Sequence, residues 1–456
     1  MVDKALRRRI WGWIMFDWAS QPYYTVLLTF LFGPYFVTVA TDAFLPDAAT
    51  EEAAKAQAQS LWSLGQTVTG LTIAASAPLL GAFADTTGRR MPWIIVFSLF
   101  FVAGATGLWW LTPDGSFLWG ALIAFGIGLI GVEFTTIFTN AMLPDLGPTK
   151  EIGRLSGNGY ALGYVGGVLS LVVMLVFFVA VPGTTTTIAG LAPLFGLDPT
   201  QNEGMRFSGP FVALWFAIFM IPFFVWVREP RRIVPPGRFK AAINGLLTAL
   251  RSVVGNRSLA SYLGSSMLYR DGLAALYGFG GTYAVLVLDW TTVQLLIFGI
   301  LAAIGAALFA WLGGFADSRF GPKPVIIICI LILITSCIVL VATTPDSLFG
   351  IPLAAGTSLP NIVFYIVGIS NGAAGGVLQS ASRTMMVRHA HPDRPTEAFG
   401  LYALSGKATA FLGPALIGSA TYLTGSVRLG IAPVIFLFLL GLVLLIWVRP
   451  QGIRTP

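Results

Sequence analysis

Six ionisable side chains stand inside long apolar stretches of this chain: Asp17, Glu133, Arg270, Asp271, Arg383 and Lys407. In hydrocarbon each would cost at least about 2.5–3.5 kcal/mol, so each needs a partner or a wet cavity. Burial raises a carboxyl's hold on its proton, and a nearby cation lowers it again. A carboxylate that alternates between a cation and a dry surround is therefore a proton carrier, and Asp17 and Glu133 are the candidates. A guanidinium at the same depth can clamp an anionic group, the role expected of Arg383 or Arg270. Arg383 is also placed to pair with Glu133. Arg270 and Asp271 are adjacent and point about 100° apart on a helix, so each must find a partner elsewhere. A fixed ion pair is the competing reading for every one of them, and for Lys407 it is the leading one.

Polar and aromatic side chains accompany these charges. Trp18, Gln21, Tyr23 and Tyr24 surround Asp17, and Pro22 should interrupt the helix there and free carbonyls. Gln379 lies four residues before Arg383, on the same helical face. Gln294 and Asn371 read as buried amides bonded between helices. Chemistry of other kinds has no footing. His389 and His391 are the only histidines and read as a solvated loop, so no metal is expected. Gly400 to Ala408, GLYALSGKA, has the wrong spacing for a phosphate loop and lacks its Ser or Thr. No nucleophile–base pair appears at membrane depth. The expectation is a non-enzyme with no cofactor and no ATP, driven by a gradient or passive.

The elements that carry these residues are spans. The chain of 456 residues is 56% hydrophobic and only 10% charged, against roughly 25% charged in a soluble domain. A spanning helix needs about 20 apolar residues. Twelve such spans are expected, near 11–40, 60–83, 91–111, 117–143, 156–181, 209–228, 258–288, 292–315, 323–343, 358–386, 398–424 and 429–448. The fold class is thus all-α and polytopic, with twelve transmembrane helices in two pseudo-symmetric six-helix bundles. With the N-terminus inside, 21 of the 27 Lys and Arg fall in inside loops and three in outside loops. That bias places both termini in the cytoplasm. It also accounts for the formal charge of +7 without nucleic acid. The basic N-terminus runs straight into apolar sequence and reads as an uncleaved first span. Residues 1–228 form the first bundle, 229–257 a basic cytoplasmic linker and 258–456 the second bundle. Residues 238–253 have the pattern of a basic amphipathic helix, with a solvated loop as the alternative.

The halves repeat. Gly81 to Pro92, GAFADTTGRRMP, returns as Gly313 to Pro324, GGFADSRFGPKP, each between two apolar runs. Leu155-Ser156-Gly157-Asn158 matches Leu404-Ser405-Gly406-Lys407, which pairs Asn158 with Lys407 as structural or coupling positions. Asp17 and Tyr23 match Asp271 and Tyr277 at one offset. A longer offset in the first spans requires extra residues after span one, and 41–60 supply an outside loop. In the hairpins, Asp85 with Arg89 and Arg90 reads as a charge latch made in one conformation and broken in another. Gly159, Gly163, Gly166 and Gly167 form a small-residue face for close packing.

Two six-span halves, a basic linker and the hairpin GAFADTTGRR resemble the major facilitator superfamily. Trp13 to Tyr24, Asn140 to Pro144 with Leu155 to Gly157, and Phe399 to Lys407 resemble its vacuole-effluxer-like branch, whose fungal members resemble amino-acid exporters linked to autophagy. The resemblance implies a gating role for Asp85, Gly88, Arg89 and Asp317. It also implies that spans one, four, seven and ten line the central cavity, and these are the spans that carry Asp17, Glu133, Arg270, Asp271 and Arg383. Tyr164 stands where the superfamily's antiporters have a proline. The expected function is a monomeric secondary transporter in a bacterial inner membrane. It would move a small solute, such as an amino acid or other zwitterion or organic anion, by alternating access with protons. A broad exporter of apolar cations, an uncoupled facilitator and a membrane-embedded enzyme or assembly factor are the alternatives.

Overall fold

The computed structural model describes residues 4–229, 251, 253, 255–288, 290–354 and 357–452. The expected amphipathic segment 238–253 falls almost wholly outside the described residues. Ten described helical stretches are long and apolar enough to cross a membrane. The first half runs α1 (Lys4–Pro22), a π-helix (Tyr23–Phe30), α2 (Phe32–Phe44), α3 (Glu51–Thr87), α4 (Met91–Gly107), α5 (Leu118–Asn140), α6 (Thr149–Phe177), α7 (Glu203–Phe219) and α8 (Ile221–Trp226). The second half runs α9 (Arg257–Leu288), α10 (Thr292–Phe320), α11 (Pro322–Ala342), α12 (Leu359–His389), α13 (Pro395–Lys407), α14 (Leu412–Thr424), α15 (Val427–Gly430) and α16 (Ala432–Leu445). A two-residue hairpin, Ser347–Leu348 on Ile351–Pro352, sits between α11 and α12.

Pro22 interrupts span one as its chemistry demands. A proline has no amide to donate and crowds the carbonyl four residues back. The chain answers by widening into the π-helix Tyr23–Phe30 before α2 resumes. Residues 41–60, expected as an outside loop, are mostly helix: α2 and α3 extend into them, leaving a short turn around Leu45–Asp47. Span eleven is broken rather than continuous, α13 ending at Lys407 and α14 starting at Leu412. Gln294, expected as an interhelical amide, instead closes a capping box at the start of α10. Its Oε1 accepts from the Thr291 amide at 2.8 Å, and Thr291 Oγ1 accepts in return from the Gln294 amide.

Two compact units emerge. The first comprises Met1–Ile73, Gly88–Thr139 and Leu162–Ile233; the second comprises Ala74–Thr87, Asn140–Ala161 and Val234–Pro456. The first unit has an aromatic core. Phe101 stacks on Phe216 at 4.0 Å, Phe97 on Phe134 at 4.5 Å, and Trp62 meets Phe125 at 4.5 Å. In the second unit α10 and α12 approach at backbone distance, with Gly376 set on the Ala306 carbonyl.

Candidate functional site

Within the first unit one face of span one gathers the polar groups. Asp17, Gln21 and Tyr24 follow one another by four and three residues, the spacing of a single helical face, and all three are half-exposed. The Tyr24 hydroxyl donates to Glu133 Oε1 of α5 at 3.3 Å. Gly163, Gly166 and Gly167 let α6 press on this span: a Cβ at Gly163 would meet the Asp17 carbonyl at 3.1 Å, and one at Gly166 the Trp18 carbonyl at 2.8 Å. The expected small-residue face thus packs directly against span one at Asp17, Trp18 and Gln21, where a Cβ at Gly167 would lie 2.9 Å from Gln21 Cγ. Tyr23 does not join that face. Six residues from Asp17, it points into the core, fully buried, and its hydroxyl donates to the Phe125 carbonyl at 2.6 Å. Of the two tyrosines expected around Asp17, Tyr24 joins this face and Tyr23 does not, and the four-then-three spacing is the signal that distinguishes them.

The first hairpin contributes a second feature of this unit. Arg90 is buried, and Glu229 accepts from its amide at 2.7 Å and from the Met91 amide at 3.1 Å, with Arg90 Nε 3.9 Å away. Glu229 thus caps α4 and favours its positive end. Arg89 stays exposed, and Gly88 has φ 69°, a left-handed turn that only glycine enters freely. Replacing Glu229 by Gln should cost about 1 kcal/mol at this helix start, read as a lower thermal unfolding midpoint in detergent.

The second unit contains two close helix crossings. At one, α3 meets α13: a Cβ at Gly81 would lie 2.6 Å from the Thr396 carbonyl, and one at Gly400 2.5 Å from the Ala77 carbonyl. Asp85 of the hairpin caps α13, accepting from the Glu397 amide at 2.8 Å and the Thr396 amide at 3.3 Å. Glu397 lies just ahead of span eleven. Burial pushes its carboxyl up to about 7; Arg394 opposes the shift and Asp85 adds to it. The folded state therefore holds a proton that the unfolded chain releases near 4.5, so this contribution is complete below pH 4.5 and is lost as pH rises through 7. Asp85→Ala should remove the cap and weaken closure of this crossing by about 1 kcal/mol, seen as roughly fivefold faster labelling of a cysteine at Ala77.

At the other crossing α6 meets α10. A Cβ at Gly157 would lie 2.6 Å from both the Ala310 carbonyl and Gly314 Cα, and one at Gly153 would strike Asp317. Ser318 Oγ accepts from the Arg154 amide at 2.9 Å. Above this crossing Arg383 of α12 is almost wholly buried. Its Nε donates to Ser156 Oγ at 2.9 Å, one terminal nitrogen to the Ser156 carbonyl at 2.8 Å and the other to Asn140 Oδ1 at 3.1 Å. Its guanidinium also lies over the Tyr160 ring at 4.4 Å. In this conformation Arg383 ties α12 to the ends of α5 and α6 and presents no open face to a solute. Gln379, one turn away, stays half-exposed and donates to the Gly375 carbonyl at 3.4 Å.

Arg270 and Asp271 find separate surroundings, as their adjacency requires. Arg270 stacks over Tyr402 at 4.5 Å, donates to the Tyr402 carbonyl at 3.1 Å and lies against Gly406. Asp271 is buried beside Thr409, at the break in span eleven, with one carboxylate oxygen lacking a bonded partner. Lys407 ends α13, where a cation favours the helix's negative pole. Asn158 is half-buried, with its carbonyl oxygen unbonded.

His389 departs from expectation. It ends α12 as a buried residue rather than lying in a solvated loop. Its Nε2 is 2.9 Å from Ser258 Oγ, its Nδ1 is 3.0 Å from the Met385 carbonyl, and it stacks on Tyr262. Span ten simply continues three residues further than its apolar run. His391 is exposed, with Asp393 at 3.7 Å.

Comparison with known proteins agrees with this architecture. A family model described as vacuole effluxer Atg22 like matches residues 5–454. The "uncharacterized MFS-type transporter YxiO" of Bacillus subtilis (strain 168) is 25% identical over 452 residues, covering 96% of this chain and 94% of YxiO. Autophagy-related protein 22 of Coccidioides immitis (strain RS) is 24% identical over 293 residues, 60% of this chain and 45% of the fungal protein. The chain thus spans about half the length of the fungal relatives it matches. Among solved structures, the human organic anion transporter MFSD10 superposes with a TM-score of 0.68 at 17% identity, covering 96% of this chain and 99% of that one. The proton:xylose symporter XylE gives 0.65 at 16% identity, covering 97% and 94%. These likenesses establish the major facilitator fold.

Proposed function

Because the chain belongs to the Atg22-like vacuole effluxer family, and so is a membrane transporter, we propose that it moves a small zwitterion or organic anion, of the amino-acid class, by alternating access coupled to protons. The observation that carries this reading is the half-exposed polar face of span one, Asp17, Gln21 and Tyr24, with Glu133 held by the Tyr24 hydroxyl. A carboxylic acid beside a phenol can exchange a proton while a solute occupies the same face. Of the two guanidiniums expected to clamp an anionic group, Arg383 is committed to Ser156 and Asn140, while Arg270 bonds the Tyr402 carbonyl and stays the candidate. The tight hairpin end supports a state shut on that side. The charge bias of the loops supports a cytoplasmic place for that side and both termini, and the Bacillus relative supports a bacterial plasma membrane.

The test is uptake of a labelled amino-acid mixture into proteoliposomes, with and without an inward proton gradient, for wild type and Glu133→Gln. Gradient-driven accumulation that falls at least about tenfold in Glu133→Gln supports coupling through Glu133. Accumulation that persists in the variant moves the proton to Asp17. If no amino acid moves while the protein is folded and inserted, the substrate class is wrong.

A further inference from the structure

The two hairpin aspartates occupy equivalent places in the repeat and have opposite environments. Asp85 accepts two main-chain amides. Asp317 is 1% exposed, and neither of its carboxylate oxygens has a bonded partner. It is pressed between α10 and α6 where Gly153 has no room for a Cβ. The hydroxyl beside it, Thr384 of α12, bonds the Ser380 carbonyl at 3.3 Å, and its hydrogen turned toward Asp317 favours the charged form. Arg388, the cation that acts on it from α12, donates to the Pro450 carbonyl at 3.0 Å and makes no ion pair with Asp317. On α6, Arg154 pairs with Glu151 at 3.9 Å on a half-open surface, and Lys150 is exposed. On α10 itself Arg319 is exposed. Thr384 and Arg388 both favour the carboxylate, but neither is bonded to it here, and burial, which favours the neutral acid, outweighs them.

We propose that Asp317 is a proton-binding site of the hairpin end: this end closes with Asp317 as the neutral acid, and its opening lets water in and releases the proton on that side. The α6–α10 crossing and the proton are then linked. Closure costs more as the proton becomes scarcer, so the closed fraction falls with rising pH. Nothing bonds when the proton moves except the acid O–H itself, broken on opening and passed to water. Asp85 cannot serve in this way, because its amide donors already hold the charged form.

This proposal rests on the alternating-access reading. It is tested by double electron–electron resonance on the full chain in nanodiscs, with spin labels at Lys150→Cys and Arg319→Cys and with Cys329 and Cys337 replaced by Ala. In an otherwise wild-type chain the ratio of short to long distances should fall between about pH 5 and about pH 9, by at most about tenfold per unit for one linked proton. Asp317→Asn should hold the short distance throughout. Thr384→Val, which removes a hydroxyl that favours the charged form, should move the midpoint to higher pH. A ratio insensitive to pH overturns the proposal, as does an Asn variant that titrates like wild type. A pH response that vanishes in Glu397→Gln and persists in Asp317→Asn also overturns it, by assigning the proton to the other crossing. A single distance at every pH overturns alternating access itself, along with this site. Should Asp317→Asn fail to fold, the wild-type titration and the Thr384→Val shift still decide.

Discussion

Transport by Gly157→Leu should fall at least about 100-fold, with the protein still folded. A side chain at this position meets the Ala310 carbonyl and Gly314 Cα, both main-chain atoms that would lie 2.6 Å from its Cβ. A flexible side chain can turn away from an intruder; two helix backbones must separate. Overpacking typically costs about 1–3 kcal/mol, and the upper figure applies where backbone must move, which is roughly a 100-fold shift against the closed crossing. The wedge acts only when α6 and α10 are together, so it should trap the other state and leave each helix intact. The measurement is proteoliposome exchange beside the spin-label distance across the crossing. Gly157→Ala should give an intermediate defect. Gly400→Leu should act in the same way at the α3–α13 crossing, where the Ala77 carbonyl is the obstacle. Wild-type exchange in Gly157→Leu would show that the crossing does not close during the cycle.

Arg383→Lys should be nearly as damaging although the charge is kept. The guanidinium serves three acceptors in different directions, Ser156 Oγ, the Ser156 carbonyl and Asn140 Oδ1, and lays its flat face on Tyr160. An ammonium is a point charge on a flexible stem and cannot reproduce that fork. Hydrogen bonds to a charged group are worth about 1.5–3 kcal/mol each, so losing the pattern should weaken the closed end by about 3 kcal/mol. Ser156→Ala is the graded control. It removes one side-chain acceptor and leaves the carbonyl, so its cost should be about 1 kcal/mol, a factor of roughly five. Thermal unfolding separates the two roles still open to Arg383. A bolt between helices lowers stability in proportion to lost transport; a solute clamp would lower transport while leaving stability unchanged.

Much of the architecture was legible because membrane insertion is a local problem. Each span must satisfy its own backbone and its own apolar length, so helices and their order follow from composition run by run. The near-repeat of the hairpins and of Leu-Ser-Gly in spans five and eleven carried the two-half organisation, and Pro22 announced the irregular turn in span one. Errors arose where the hydrophobic run and the helix do not end together. Residues 41–60 are polar yet helical, and His389 follows the apolar run yet stays in α12 and is buried, because its two ring nitrogens find Ser258 and Met385.

The partners of the ionisable residues belong to a different order of information. Sequence alone determined that Arg270, Asp271 and Arg383 stand in apolar runs and need company, since the cost of a lone charge in hydrocarbon does not depend on the fold. It determined too that Asp85 and Asp317 are equivalent by descent from the repeat. Only the tertiary structure decided that Arg383 is held by Ser156 and Asn140, 227 and 243 residues away. Only it decided that Asp85 caps a helix while Asp317 is buried with neither oxygen bonded. The reason is physical: a glycine in a pattern says that two backbones can approach, but which carbonyl, amide or carboxylate waits on the other side is set by how helices distant in sequence cross.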